Sequence, residues 1–493
     1  MKKVLVANRG EIAVRVFRTL REMGIRSVAV TSDADRDALH ARSADERVAI
    51  GPAAAAESYL NAARILDAAK KTGADAIHPG YGFLSERATF ARACRDAGIT
   101  FIGPSPESME RLGDKAAARK AAVRLGVPVV PGVEGVESAA QAKVEAERVG
   151  YPVLLKAAGG GGGRGMRFAS SAAELETAFE SARREAEAAF GDGRLFLERR
   201  VHPARHVEVQ ILGDGKDTVA LGERECSLQR RYQKVIEESP SPAVTPSIRA
   251  AMEKAAVTLA RDAGYAGAGT VEFLLGPDGS FYFLEVNARL QVEHPITEAR
   301  FGIDLVRAQI EIAAGGKVPK PARPSGHAIE ARLNAENAAA GFLPQTGKVL
   351  LLSWPTGDGV RVDAGIAERG TVQPHYDSLL AKVIAHGEDR EEARARLLGA
   401  LRGLALLGIH TNQGFLIDLL EDRAFRDGET YTDTVESRAW PEPDALPDEA
   451  LLAAGVVARS PSRARDGGRK DADRYSPWRT LGAWGRLQSG AGA

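Results

Sequence analysis

The sequence predicts a multidomain protein of mixed α/β and α+β class that opens on a Rossmann-like parallel sheet. Its 493 residues suffice for about three domains. Strand-like and helix-like patterns alternate over residues 1–100, which argues for parallel strands covered on both faces. A β-rich stretch carrying a long glycine run follows over residues 153–223, and a second mixed region occupies about residues 203–440.

Taken in order, residues 4–7 form a short buried strand, and residues 11–23 place Ile12, Val16, Phe17 and Leu20 at helical spacing. A second strand covers residues 27–31, a helix residues 59–71 and a third strand residues 75–78. The first turn, Asn8-Arg9-Gly10-Glu11-Ile12-Ala13, lacks the three glycines of a dinucleotide fingerprint, so NAD binding is not inferred. Residues 113–131 read as a helix ended by Gly126 and Pro128. Strands are expected at residues 153–156, 166–168, 196–198, 206–212 and 219–223. From about residue 441 the composition turns to Pro, Asp, Ser, Arg and Gly, as in a solvated linker.

Composition removes several function classes. Lysine and arginine total 66, as do aspartate and glutamate, so no net field recruits nucleic acid or an anionic membrane. Two cysteines, Cys94 and Cys226, exclude a disulfide framework and a four-cysteine zinc site. The apolar start ends at Asn8, too short for a signal-peptide core or a bilayer span. A soluble protein of the reducing cytoplasm is expected.

The strongest local signal is Lys156-Ala157-Ala158-Gly159-Gly160-Gly161-Gly162-Gly163-Arg164-Gly165-Met166. Glycines let backbone pass close to a phosphate and aim several N–H groups at it. No Gly-Lys-Ser/Thr follows, and the run leads into a strand, so it is not a P-loop. Strand-like residues pressed against both ends also argue against a plain flexible linker.

A hairpin gives the second signal. A four-residue turn, Gly276-Pro277-Asp278-Gly279, would pair Leu275 with Ser280 and set Glu272 opposite Phe283. Glu285 and Asn287 then share the face of Glu272, with the two carboxylates as diagonal neighbours about 7–8 Å apart. Carboxylates that close repel unless a cation lies between them, and oxygen-only ligands suit Mg²⁺ or Mn²⁺. A one-residue slip would put them on opposite faces.

Next comes Asn287-Ala288-Arg289-Leu290-Gln291-Val292-Glu293-His294-Pro295, polar enough to hold a small oxyanion beside a base, or simply a solvated loop. The cluster Glu223-Arg224-Glu225-Cys226-Ser227-Leu228-Gln229-Arg230-Arg231-Tyr232-Gln233-Lys234 reads either as an anion site or as a solvated face. His202 and His206 are not a zinc pair, because Pro203 disfavours a helix there. Cys226 reads as a small buried residue.

Over about residues 1–445 these stretches resemble biotin carboxylase, an ATP-grasp enzyme. The resemblance rests on Ala7-Asn8-Arg9-Gly10-Glu11-Ile12-Ala13, His78-Pro79-Gly80-Tyr81-Gly82-Phe83-Leu84-Ser85-Glu86, the five-glycine loop and Arg289-Leu290-Gln291-Val292-Glu293-His294-Pro295. It implies a preATP-grasp domain over residues 1–114, an ATP-grasp domain over 115–320 with a glycine-loop lid at about 131–202, a C-terminal domain over 321–445 and a flexible tail over 446–493.

Carried over residue by residue, Lys115 and Lys156 would hold ATP phosphates under the loop containing Gly162 and Gly163. Glu198, Arg199 and Val201 look like the hinge that reads adenine, with His206, Gln229 and Tyr232 nearby. Glu272, Glu285 and Asn287 match the family's metal ligands. Lys234, Arg289, Gln291 and Val292 fall where bicarbonate binds. Glu293 matches the general base and Arg332 the arginine beside deprotonated biotin. Tyr232 stands where a histidine is frequent, and Arg87 where an asparagine is usual.

The implied activity is ATP- and bicarbonate-dependent carboxylation of biotin through carboxyphosphate, the first half-reaction of an acetyl-CoA or other acyl-CoA carboxylase. The alternatives are the corresponding part of a propionyl-/methylcrotonyl-CoA or pyruvate carboxylase, or an inactive regulatory module. A carbamoyl-phosphate synthetase is disfavoured by residues 289–295. The resemblance also implies a homodimer. No Met-Lys-Met biotinylation motif is present, so biotin is expected on a separate carboxyl carrier protein, with carboxyltransferase subunits as further partners. Trp478 and Trp484 in the tail are expected to dock on such a partner.

Overall fold

A computed structural model of the chain describes residues 1–157, 166–190, 193–438 and 440. Gly162, Gly163 and the tail residues, Trp478 and Trp484 among them, lie outside the described residues.

Strands β1 (Lys3–Val6), β2 (Arg26–Ser32), β3 (Glu46–Gly51), β4 (Ala76–His78) and β5 (Thr100–Phe101) form a sheet in the order β3-β2-β1-β4-β5. Every ladder in it is parallel. The order reverses between β1 and β4, which opens a crevice beyond their carboxyl ends. Asn8 closes its floor by donating from Nδ2 to the Pro79 and Tyr81 carbonyls at 2.8 and 2.7 Å. Helix Gly10–Glu22 buries Ile12, Val16, Phe17 and Leu20, the positions its spacing predicts. Those side chains share a core with Leu212 and Ala268 of the next sheet.

The helix expected over 113–131 is Lys115–Arg124, and a separate helix, Pro106–Gly113, precedes it. Asp114 stands between them with extended ψ and caps the second through the Ala117 N–H. This places Lys115 at a helix N-terminus.

Four antiparallel strands come next: β6 (Gly132–Val136), β7 (Val153–Ala157), β8 (Arg167–Ala169) and β9 (Leu195–Arg199), ordered β6-β9-β7-β8. Helices Ala139–Val149 and Ala172–Phe190 pack on them around Leu155, Phe179 and Leu197.

The largest sheet is built from β10 (Arg205–Asp214), β11 (Thr218–Arg230), β12 (Gln233–Ser239), β13 (Ala266–Leu275), β14 (Phe281–Asn287), β15 (His327–Asn334), β16 (Val360–Ala364) and β17 (Leu379–Gly387). Their order is β14-β13-β10-β11-β12-β15-β17-β16. Because β12 pairs with β15, its hydrogen bonding runs without a break across residue 320.

Two local readings are corrected. Strand β11 does not stop at Glu223 but runs to Arg230; most of the 223–234 cluster is therefore buried sheet rather than solvated face. It turns into β12 through Arg231 and Tyr232, both at positive φ (47° and 65°), the geometry of a two-residue type I′ hairpin. The 270–287 hairpin also differs. Its loop is three residues, Pro277 to Gly279, closed by Gly276 N–H to the Ser280 carbonyl at 2.8 Å. Gly279, at φ 81°, supplies the left-handed residue. That loop shifts the register by one, so Phe273 rather than Glu272 faces Phe283. A bulge between the Glu272 and Phe273 pairs absorbs Leu284, and Glu272 then pairs directly with Glu285. The slip that would have separated the carboxylates is thereby cancelled.

Candidate active site

Registers across the largest sheet align one row of side chains. Arg224 on β11 pairs with Glu208 on β10, Glu208 with Glu272 on β13, and Glu272 with Glu285 on β14. Directly opposed residues share a face, so four charged groups line up beneath a cavity of about 1310 Å³. Lys115, Lys156, Glu198, Arg199, Val201, His206, Gln229 and Tyr232 line that cavity, as do Lys234, Glu272, Glu285, Asn287, Arg289, Gln291, Val292 and Arg332. Glu293 is the exception: it is fully buried behind Lys234 and Arg332.

Lys234 is the hub. Its Nζ donates to Glu293 Oε1 at 2.7 Å, Glu208 Oε2 at 2.6 Å and Glu272 Oε1 at 3.0 Å. Arg332 Nη2 donates to Glu293 Oε2 at 2.9 Å. Burial by itself would push the Glu293 carboxyl up, but Lys234, Arg332 and Arg224 hold it well below the usual range. Burial likewise opposes the Lys234 charge, yet the carboxylates of Glu208, Glu272 and Glu293 raise its pKa well above the ordinary lysine value. Cys226 itself is buried, and its thiol is pushed far up, chiefly by burial. It is inert, as read from the sequence.

On the far side, Lys115 Nζ lies 2.6 Å from Glu285 Oε2, and Lys156 pairs with Glu198. His206 Nε2 is 3.2 Å from Glu272 Oε2. Arg199 donates to the Tyr282 hydroxyl at 2.6 Å. Tyr232 sits at the rim, 63% exposed. Arg289 fans out from its loop to Asn287 Oδ1 at 2.9 Å, Gln291 Oε1 at 2.8 Å and Glu86 Oε2 at 2.9 Å. The Val292 carbonyl accepts from Lys382 Nζ at 2.9 Å. Lys382 is fully buried, with Glu11 Oε2 3.3 Å and Asp363 Oδ2 4.0 Å away.

Sequence reasoning missed Glu208, Arg224, Glu86 and Lys382. The signal for Glu208 was legible: His206, Glu208 and Gln210 alternate with Val207, Val209 and Ile211, so one strand face is polar although wholly buried. Arg224, fully buried, donates to Glu208 Oε1 at 2.6 Å, Gln210 Oε1 at 2.6 Å, Thr297 Oγ1 at 2.9 Å and Thr270 Oγ1 at 3.0 Å. Arg224→Leu leaves Glu208 with half its compensation, and unfolding in urea is expected to show a loss of about 3–5 kcal/mol.

The described groups with ligand atoms clustered closely enough for an ion are His206 with Glu208 and Glu272, and Glu208 with Cys226 and Glu293. Both include Glu208, which Lys234 and Arg224 already neutralise. Glu272, Glu285 and Asn287, by contrast, offer hard oxygens on one cavity wall, the donor type of Mg²⁺ and Mn²⁺.

Three family models match the chain: biotin carboxylase N-terminal domain over residues 1–109, carbamoyl-phosphate synthase L chain ATP binding domain over 114–320, and biotin carboxylase C-terminal domain over 330–437. Biotin carboxylase 1 of Bacillus subtilis (strain 168) is 46% identical over 443 residues, covering 89% of this chain and 98% of that protein. The mitochondrial methylcrotonoyl-CoA carboxylase subunit alpha of Oryza sativa subsp. japonica is 50% identical over 443 residues, 88% of this chain but 60% of its own length. The biotin carboxylase domain of Hydrogenobacter thermophilus 2-oxoglutarate carboxylase, solved as a dimer with MgADP, ADP and bicarbonate, superposes with a TM-score of 0.81 at 44% identity, covering 88% of this chain and 97% of that one. The middle match alone would leave a carbamoyl-phosphate synthase open, but the flanking matches and the full-length bacterial relative decide otherwise. The chain belongs to the biotin carboxylase family of ATP-dependent carbon–nitrogen ligases.

Proposed function

We propose that this chain uses ATP to activate bicarbonate as carboxyphosphate and transfers the resulting CO₂ to N1′ of biotin on a separate carrier protein. The observation that carries the reading is the Lys234–Glu293–Arg332 cluster, set beside the Glu272/Glu285 pair on one cavity.

Bicarbonate would enter between Lys234, Arg289, Gln291 and the Val292 backbone. By drawing Lys234 away from Glu293, the anion would raise the basicity of the carboxylate that must take its proton. The freed oxyanion attacks the γ-phosphorus and ADP leaves. Lys115 and Lys156 meet the charge spread over the phosphoryl oxygens. Glu272, Glu285 and Asn287 would hold Mg²⁺ or Mn²⁺, which would supply positive charge against the phosphates. Glu198, Arg199 and Val201 would read adenine, with His206, Gln229 and Tyr232 alongside. Carboxyphosphate would then split into CO₂ and phosphate, the phosphate would take the N1′ proton, and Arg332 would stabilise the resulting negative charge on the ureido oxygen.

A homodimer is supported by the dimeric Hydrogenobacter domain. Biotin carboxyl carrier protein and carboxyltransferase subunits are the proposed partners, in the cytoplasm; no helix among the described residues is long and apolar enough to cross a membrane. Acetyl-CoA is the proposed final acceptor, with the methylcrotonoyl-CoA relative favouring that acyl-CoA as a second reading. Phosphate release should depend on bicarbonate and Mg²⁺ and accelerate with free biotin; ATP cleavage indifferent to bicarbonate would overturn the assignment.

A further inference from the structure

Behind Arg332 lies a pair of carboxyls that the chemistry above leaves unused. Glu237 on β12 and Glu330 on β15 are direct partners across an antiparallel ladder, an arrangement that holds Cβ atoms about 4.5–5.5 Å apart. Both side chains are fully buried. Glu237 Oε1 accepts from Arg332 Nε at 2.5 Å. Glu237 Oε2 and both oxygens of Glu330 have no hydrogen-bond partner among the described residues.

The charged groups facing the pair come from every element packed against it. Arg332 lies on β15 itself, Lys382 opposite Arg332 on β17, Lys234 on β12, Cys226 on the neighbouring β11, and Glu293 at the start of helix His294–Phe301. Lys382 is already shared among Glu11, Asp363 and the Val292 carbonyl. Two ionised carboxylates side by side would leave three bare oxygens in a dry interior, which is strongly unfavourable. One proton between them would lessen the problem: a protonated Glu330 that turned toward Glu237 would donate to Oε2, leave one Glu330 oxygen unpaired and leave Glu237 its charge for Arg332.

We propose that Glu237 and Glu330 share a single proton and act as one monoanionic unit that positions Arg332, with Glu237 as the anchor and Glu330 as the proton-bearing partner. The inference rests on the reading in which Arg332 serves biotin. Burial, the leading cause, pushes Glu237 up to about 7 and Glu330 well above the carboxylate range, against the pull of Arg332 and Lys382 respectively. Loss of the shared proton at alkaline pH would put a second negative charge behind Arg332 and draw its guanidinium out of the cavity.

The test uses the full chain with free biotin. Glu237→Gln should raise the KM for biotin about tenfold while bicarbonate-dependent ATP cleavage without biotin stays within about twofold. Glu330→Gln, which fixes the donating state, should carboxylate biotin at near wild-type rate at neutral pH and keep its rate at alkaline pH where wild type declines. Equal loss of both half-reactions in Glu237→Gln, or an unchanged alkaline limb in Glu330→Gln, would overturn the proposal. Infrared spectroscopy of the wild type gives an independent readout: a protonated-carboxyl stretch at neutral pH, absent from Glu330→Gln, supports the shared proton. Its absence from the wild type overturns it, even if the biotin reading of the site stands.

Discussion

Glu293→Gln is expected to abolish both bicarbonate-dependent ATP cleavage and carboxybiotin formation, with turnover falling about 10²–10⁴-fold. The amide keeps the shape and removes the proton acceptor. Lys234 and Arg332 would both remain, each having lost a carboxylate partner at 2.7 and 2.9 Å. Arg332→Ala should behave differently. It removes the donor for the biotin oxyanion, costing about 10²–10³-fold in carboxybiotin formation, and releases Glu293 from one of the cations that depress its basicity. Part of the bicarbonate-dependent ATP cleavage should therefore survive. Phosphate release and carboxybiotin measured in parallel separate the two; an identical ratio of the products in both variants would refute the division of roles.

Glu285→Gln should cut turnover at least about tenfold to a hundredfold and move the Mg²⁺ requirement to higher concentration, because half of the anionic charge facing the phosphates is lost. The Lys115 contact at 2.6 Å adds a second effect, since that ammonium also loses its anchor. A Mg²⁺ titration at saturating ATP is the measurement. Wild-type activity with an unchanged Mg²⁺ midpoint would remove Glu285 from the metal site.

Much of this site was legible because its residues stand in short runs whose spacing carries geometry. Glu272 and Glu285 were placed on one face from strand alternation alone, and they share it. The route was wrong in detail, for neither Gly279 as the left-handed closing residue nor the bulge at Leu284 can be seen from alternation. Two one-residue shifts happened to compensate. Glu293 and Lys234, 59 residues apart, came together only through the family resemblance; no local pattern encodes a contact between a loop and a hairpin two strands away. Arg224 was hidden for another reason. Charged side chains on a strand normally mark a solvated face, and only tertiary burial turns such a face into a hydrogen-bonded floor. Helix Pro106–Gly113 was missed, although the one that follows it, Lys115–Arg124, lies within the expected span.

Lys382 also bears on how the molecule comes apart. A single ammonium, wholly shielded from water, is balanced by Glu11 from the first helix and Asp363 from β16, and it holds the Val292 carbonyl beside the oxyanion loop. Release of any one of these segments strands its charge in a dry interior, at a cost of several kcal/mol. The amino-terminal helix, the carboxyl-terminal strands and the loop that fixes the reactants are thus expected to melt as one cooperative unit. The three stretches matched by family models are divisions of pattern, and calorimetry of the chain is expected to show one transition for residues 1–440 rather than three.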